Sequence, residues 1–298
     1  MTEKASFLVV GNTAADLVFT VSAPLPRDGK AAADGFVVRP GGQAANVAAT
    51  LAMLGHGIRF LGPFGDDSHG VASRKALEDL GVDTRFSPTV AGCPHLVACV
   101  LVSGEGRSVV SYKDPGLVLD ASKLDQAVIG DAQAVFTDGF EVPASLAVAR
   151  LARRMGRTVF ADMEVFLPGS LELVELADHL IAPADIVREL GEHDDLPLAL
   201  AHVLSMGPSA AVATHGREGA VGLARGMGKA LTVPAETCDV VDSTGAGDAF
   251  HAGYMSAVMQ GAGIEAAMRF ATRLAAAKCR AAGSRLSPSD IRKALEGG

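Results

Sequence analysis

Along most of the chain, short apolar runs alternate with longer stretches in which Ala, Leu and Val recur at helical spacing. Residues 7–10, 58–62, 134–137, 158–161, 179–182 and 210–214 are apolar almost without interruption, which predicts strands buried on both faces. Residues 44–54, 70–80, 144–155, 171–176 and 196–206 carry the helical pattern between or beside them. Strand and helix in alternation, joined by short turns bearing Gly or Pro, predict βαβ units. The expected fold class is α/β, a three-layer α/β/α sandwich around a mostly parallel central sheet.

Two stretches break this rhythm. Residues 12–40 and 90–112 lack helical periodicity and hold strand-like segments at 17–21, 35–39, 96–103 and 107–112. Ser103-Gly104-Glu105-Gly106, between the last two, suits a hairpin turn. Structureless loops of that length are uncommon in compact domains, so a small projecting sheet is expected, serving as a lid, a dimer surface or both. The 298 residues then read as one domain, 1–298, with a β lid from about 12–40 and 90–112. Exposed lid edges would be unpaired in a monomer, and a homodimer through the lid is expected.

Composition narrows the function classes. Hydrophobic residues make up 49% and charged residues 20%, enough for a large core and too apolar for general disorder. The net charge is −8, and Arg150 with Arg153, Arg154 and Arg157 suits a solvated helix face, so nucleic acid is not an expected partner. Residues 1–11 start polar and run into a strand, and no run of 18 apolar residues occurs. Neither a leader peptide nor a membrane partner is therefore expected. Cys93, Cys99, Cys238 and Cys279 lack CxxC spacing, and no two His stand at i,i+4. Reduced thiols and a cytoplasmic location are expected, with no disulfide framework or zinc site.

The sharpest chemical signal is Asp242-Ser243-Thr244-Gly245-Ala246-Gly247-Asp248, with a strand-like run at 238–241 before it and a helix-like run at 249–259 after it. Glycines opening a helix leave backbone N–H groups pointing outward, which makes an anion site. Asp248 falls in the first helical turn, where a carboxylate can take a proton from a hydroxyl during phosphoryl transfer or merely complement the helix dipole. In Pro40-Gly41-Gly42-Gln43-Ala44-Ala45-Asn46, paired glycines again open a helix. Asn46 can there bind sugar hydroxyls or cap locally. Asp16, after Gly11-Asn12-Thr13, lies where ligand loops of open α/β sheets emerge; it suits paired hydroxyls or a polar turn. No GxxxxGK[ST] loop and no GxGxxG turn occurs, which disfavours a P-loop NTPase and a dinucleotide-binding domain.

Together these motifs resemble the ribokinase-like (PfkB-type) carbohydrate kinase family over nearly the whole chain. Gly41-Gly42-Gln43-Ala44-Ala45-Asn46 is similar to its N-terminal signature and 242–248 to its C-terminal one. Gly62-Pro63-Phe64-Gly65-Asp66-Asp67 with Gly70 resembles its G-x-x-G-x-D-x-x-G segment, and Thr214-His215-Gly216 with Gly219 its T-x-G-x-x-G nucleotide loop.

The resemblance implies a ribokinase-like fold and ATP-dependent phosphorylation of a sugar hydroxyl. It makes Asp248 the base and the amides of Gly245, Ala246 and Gly247 the anion hole. Asp16, Gly41, Gly42 and Asn46 would hold the sugar, and Thr214, Gly216, Gly219 and Gly283 the nucleotide. Mg²⁺ would bridge the ATP phosphates, and K⁺ is a candidate at Asp242, Thr244 and Ser287. One departure stands out: Ala184 and Val187 occupy the places of the family's N-x-x-E, which helps hold Mg²⁺. Asp162 and Glu164 could compensate, or be an ordinary strand-end pair. Asp162-Met163-Glu164 and Ala275-Ala276-Ala277-Lys278-Cys279 look closest to the ketohexokinase and sulfofructose kinase branch, which implies a ketose-like acceptor. A charged sugar would need basic groups, for which Arg27, Arg39, Arg107 and Lys113 of the lid are available. A nucleoside or small-alcohol acceptor, or a non-catalytic regulator on the same scaffold, is the alternative.

Overall fold

A computed structural model describes residues 4–23, 28–103 and 106–296. The strands, in chain order, are β1 (Ser6–Val10), β2 (Ala14–Thr20), β3 (Gly35–Gly41), β4 (Gly57–Leu61), β5 (Phe64–Gly65), β6 (Thr89–Val90) and β7 (Val97–Ser103). They continue as β8 (Gly106–Tyr112), β9 (Ala134–Thr137), β10 (Thr158–Asp162), β11 (His179–Pro183), β12 (Ala210–Thr214), β13 (Ala220–Ala224) and β14 (Leu231–Val233). An eight-stranded sheet has the order β14-β13-β12-β11-β10-β9-β1-β4. Its pairs are parallel from β4 to β12 and antiparallel beyond.

Alternate residues of each central strand feed two separate cores. Leu8 and Val10, Val159 and Ala161, and Leu180 and Ala182 point to one side, under the helices Val142–Arg154, Ser170–Leu176 and Leu196–Met206. Phe7, Val9, Phe160 and Ile181 point to the other, under Gln43–Met53, Ala246–Met259 and Ile264–Cys279. Burial of both faces is why these strands read as continuous apolar runs. The three-layer α/β/α sandwich expected from the pattern is the fold observed.

A second sheet, β3-β2-β7-β8, is formed from the two aberrant stretches. The register across it places Val38, Leu17, Cys99 and Val110 in one row on one face. The neighbouring row on the opposite face runs Arg39, Asp16, Ala98 and Ser111. One face therefore carries Asp16 toward the large sheet, while the other turns a broad apolar surface outward. Ser103 pairs with Gly106 as the hairpin reading requires, though its tip at 104–105 lies outside the described residues.

The run at 238–241 is not a strand. Its valines, Val240 and Val241, are 65% and 62% exposed, and it crosses to the end of helix Ile264–Cys279, where the amides of Val241 and Asp242 both donate to Cys279 O. Lacking a neighbouring strand, the segment satisfies its backbone on a helix terminus instead.

Candidate active site

The candidate residues converge at the carboxyl ends of β1, β9 and β10. Chain order reverses at β1, which sits between β4 and β9, and such a switch point opens a crevice in α/β sheets. Gly11 and Asn12 leave β1 here, with the Asn12 amide donating to Asp138 Oδ2 at 2.7 Å. A Cβ on Gly41 would lie 2.2 Å from an Asp16 carboxylate oxygen, so this glycine gives the Asp16 side chain its space. Gly42 has φ 90°, and a Cβ there would meet the Thr13 backbone at 2.6 Å. The two glycines thus bring the start of helix Gln43–Met53 against the β1 loop and place Asn46 one turn inside.

Asn46 links the two signatures. Its Nδ2 donates to Asp248 Oδ2 at 2.8 Å, and its Oδ1 accepts from Arg285 Nε at 2.9 Å. Arg285 orients the amide, since a guanidinium can only donate. The Nη2 of Arg285 is buried without a hydrogen-bond partner among the described residues. Burial lowers its pKa to about 10, against the raising influence of Asp16 and Asp248, so it is charged at neutral pH.

Asp248 is buried in the first turn of helix Ala246–Met259. Burial pushes its carboxyl up to about 7; Asn46 and the His251 charge oppose the rise, while Asp162 and Glu164 add to it. His251, one turn further on, donates from Nδ1 to Gly247 O at 2.8 Å and stands with Nε2 3.4 Å from Asp162 Oδ1. Burial disfavours its charge, but Asp162, Gly247 O and Asp248 outweigh burial and raise it to about 9. An imidazolium–carboxylate pair therefore underlies the turn.

Gly245 adopts φ 78°, and a Cβ on it would stand 2.0 Å from Ser284 O. The Ala246 amide, expected in the anion hole, turns back to Ser243 O at 3.2 Å. The amides of Gly245 and Gly247 remain as the open donors among the described residues. Asp242 shapes this turn from below, accepting from the Thr244 amide at 2.9 Å and the Gly283 amide at 2.8 Å. Burial favours its neutral form, yet those hydrogen bonds and the Lys278 charge hold its carboxyl below the usual value.

The residues expected to hold a monovalent cation already carry protein hydrogen bonds. Both Asp242 carboxylate oxygens are engaged by amides, and its backbone carbonyl accepts from Lys278 Nζ at 2.8 Å. Ser287 caps helix Pro288–Glu296: its Oγ donates to Asp290 Oδ2 at 2.6 Å and its amide to the same oxygen at 2.9 Å. Of the carboxylates at the end of β10, Asp162 is buried, with Oδ1 3.4 Å from His251 Nε2 and no hydrogen bond on that oxygen among the described residues, whereas Glu164 is exposed. Ala184 and Val187 are buried in the core.

On the far side, Thr214 ends β12, and Gly216 (φ 51°) and Gly219 (φ 96°) shape a tight connection to β13. A Cβ on Gly219 would strike Val233 O at 2.1 Å. Gly283 (φ 96°) lies under Arg39, whose Nη1 would be 2.0 Å from a Cβ there. The Gly62-to-Gly70 segment is structural: Asp67 caps helix Ser68–Glu78 through the Gly70 amide at 2.9 Å, and Gly70 gives passage to Gly65 O. Of the basic residues expected near the small sheet, Lys113 pairs with Glu141 and donates to Asn12 Oδ1 at 3.2 Å. Arg27 and the Arg107 side chain lie outside the described residues. Sequence reasoning did not single out Arg285, His251 or Asp138; only His251, at helical spacing from Asp248, left a signal.

Comparison with known proteins identifies the family. The family model for pfkB family carbohydrate kinases matches residues 4–291. An ATP-dependent ribose-1-phosphate kinase from Halopiger xanaduensis is 30% identical over 289 residues, covering 95% of this chain and 94% of that protein. The ribokinase of Bacillus subtilis is 28% identical over 284 residues, 90% of each chain. The Arabidopsis thaliana ribokinase complexed with ribose and ATP shares the fold at TM-score 0.83 and 23% identity, over 99% of both chains. Adenosine kinase from Sinorhizobium meliloti superposes at TM-score 0.87 and 21% identity, over 99% of this chain and 100% of that one. With its two signatures joined through Asn46 and Asp248, the chain is a member of the pfkB family of carbohydrate kinases, an ATP-dependent sugar or nucleoside kinase.

Proposed function

We propose that the protein transfers the γ-phosphate of ATP to a hydroxyl of a small, ketose-like sugar, with Asp248 taking the hydroxyl proton. The observation that carries this reading is the buried Asp248 carboxylate, held by Asn46 beside the open amides of Gly245 and Gly247. A carboxyl raised to about 7 by burial is a stronger base than an ordinary aspartate and suited to accept a proton as the oxygen attacks. The amides and the N-terminal end of the helix stabilise charge on the transferring group, and positioning supplies much of the acceleration. Asp16 and Asn46 hold the sugar hydroxyls, with Gly41 and Gly42 letting the substrate approach the backbone. Thr214, Gly216, Gly219 and Gly283 line the nucleotide side.

Bound Mg²⁺ would supply charge neutralisation on the ATP phosphates. Glu164 is the exposed carboxylate that would face such an ion from solvent, Asp162 being buried beside His251. The small sheet acts as a lid within a single kinase domain, excluding water on closure. Its outward face, with Phe36 at 58% and Val110 at 68% exposure, supports pairing with a second copy of the chain. The free thiols suit a cytoplasmic setting.

A second acceptor class has its own support: relatives at 26% identity include a nucleoside kinase from Methanothermobacter thermautotrophicus and a guanosine-inosine kinase from Exiguobacterium acetylicum. ADP production from Mg-ATP across ketoses, aldoses, sulfonated sugars and nucleosides separates the readings. Turnover with a ketose that disappears in Asp248→Asn is the expected result. A nucleoside as best substrate moves the acceptor class, and ATP binding without turnover on any acceptor favours a regulator.

A further inference from the structure

Lys278 is the feature that the kinase chemistry leaves unused. It lies near the end of helix Ile264–Cys279 and is 0% exposed, although lysine is rarely buried without a compensating purpose. Its ammonium donates to Asp242 O at 2.8 Å and to Ala281 O at 3.0 Å. Those carbonyls belong to different segments. One opens the turn whose amides form the anion cradle; the other opens the segment that presents Gly283 and Ser284 to that turn.

The same two segments touch elsewhere, through the Gly283 amide on Asp242 Oδ2 and through Gly245 packed on Ser284 O. The next residue, Cys279, accepts both the Val241 and the Asp242 amides on its carbonyl. Two backbone carbonyls on the ammonium and the nearby Asp242 carboxylate resemble part of the oxygen shell that holds a bare monovalent cation. Here the cation is carried on the chain.

We propose that the Lys278 ammonium is the resident cation of the site, tying the 242–245 turn to the 281–284 segment so that the anion cradle needs no free monovalent cation. The inference rests on the kinase reading for its meaning, and its structural content stands apart from the acceptor. Lys278 touches neither substrate nor the transferred group in this scheme; it is a positioning residue. A tethered ammonium carries no affinity constant, so the cradle is kept in shape at any ionic composition. Its loss leaves two buried carbonyls unmatched and frees the turn that aims Gly245 and Gly247.

The test compares wild type with Lys278→Ala, which leaves room for an ion, and Lys278→Met, which keeps the volume without the charge. Thermal melting and turnover are measured in KCl, NH₄Cl and tetramethylammonium chloride at constant ionic strength. Wild type is expected to give the same melting temperature and turnover in all three salts. Lys278→Ala should lose about 10-fold or more in kcat with a smaller change in the acceptor KM, because a cradle shifted by a fraction of an ångström misaligns the transfer. K⁺ or NH₄⁺, but not tetramethylammonium, should restore much of its turnover and raise its melting temperature saturably. Lys278→Met should be impaired and poorly rescued.

A saturable rise of wild-type turnover or melting temperature with K⁺ overturns the proposal. So does a Lys278→Met protein equal to wild type, or a Lys278→Ala protein that no cation restores. Should both variants fail to fold, the wild-type salt comparison decides alone. Melting requires no acceptor, so the absence of kinase activity would overturn the function while leaving the Lys278 test readable.

Discussion

The 242–248 loop holds one carboxylate at each end, and the fold treats the two in opposite ways. Asp242 is half-buried, receives amides on both oxygens, and is held below its usual range. Asp248 is buried, receives one side-chain amide from Asn46, and is pushed up to about 7. Both pay desolvation, so the number of donors aimed at each decides the sign. The first end of the loop is built to be permanently charged and rigid. The second is left able to exchange a proton.

Replacing Asp248 with Asn should break the comparison most severely. Turnover is expected to fall about 10²-fold or more, measured as kcat with saturating Mg-ATP. The melting temperature should hold or rise, because the variant removes a buried charge that opposes folding. The sign follows from the raised value: the unfolded carboxyl ionises near 3.8, so its burden on stability is absent below that pH and complete above about 7. A matching fall in melting temperature would mean that Asp248 is structural.

Arg285→Met should sharpen the comparison next. It removes a buried charge that interacts with Asp248 and the donor that orients Asn46. In wild type, kcat/KM should climb with pH through about 7 as Asp248 ionises. In the variant that limb should move to higher pH, and activity at pH 6 should drop about tenfold for each unit of displacement. An unmoved limb would separate Arg285 from the base.

Asp242→Asn should act mainly on stability, by about 1–2 kcal/mol, read from denaturant unfolding at pH 7. The wild-type carboxyl is lowered, so its contribution is fully present above about pH 3.8 and is lost as pH falls through the folded value. The two proteins should therefore converge in strongly acidic buffer.

The smallest effect on chemistry belongs to the outer face of the small sheet. Val110→Asp, facing away from Asp16, should leave kcat within a few-fold while reducing the molecular mass in solution from dimer to monomer, measured by light scattering at micromolar concentration. A monomeric wild type would remove the dimer reading.

Much of this site was legible in residue order because its glycines answer to local rules. Gly42, Gly245, Gly216 and Gly219 all take positive φ, and such positions declare themselves wherever a strand or turn meets a helix. The alternating apolar runs likewise defined the layered fold, since a strand buried on both faces cannot hide its composition. The lead-in at 238–241 misled for the converse reason: Cys-Asp-Val-Val has strand character, but strand pairing depends on a neighbour that the sequence cannot name.

The sequence by itself determined that this is a layered α/β kinase fold, with Asp248 at a helix start and glycines around it. Only the tertiary structure decided what surrounds those groups. Asn46 meets Asp248, and Arg285 meets Asn46, across most of the chain length. Lys278, which in sequence is one cation in an Ala-rich helix, becomes a buried ammonium between two turns. Glycine conformation and apolar periodicity are local properties that short spacing records. Proton affinity and cation placement depend on burial and on partners brought from distant segments, and these exist only after folding.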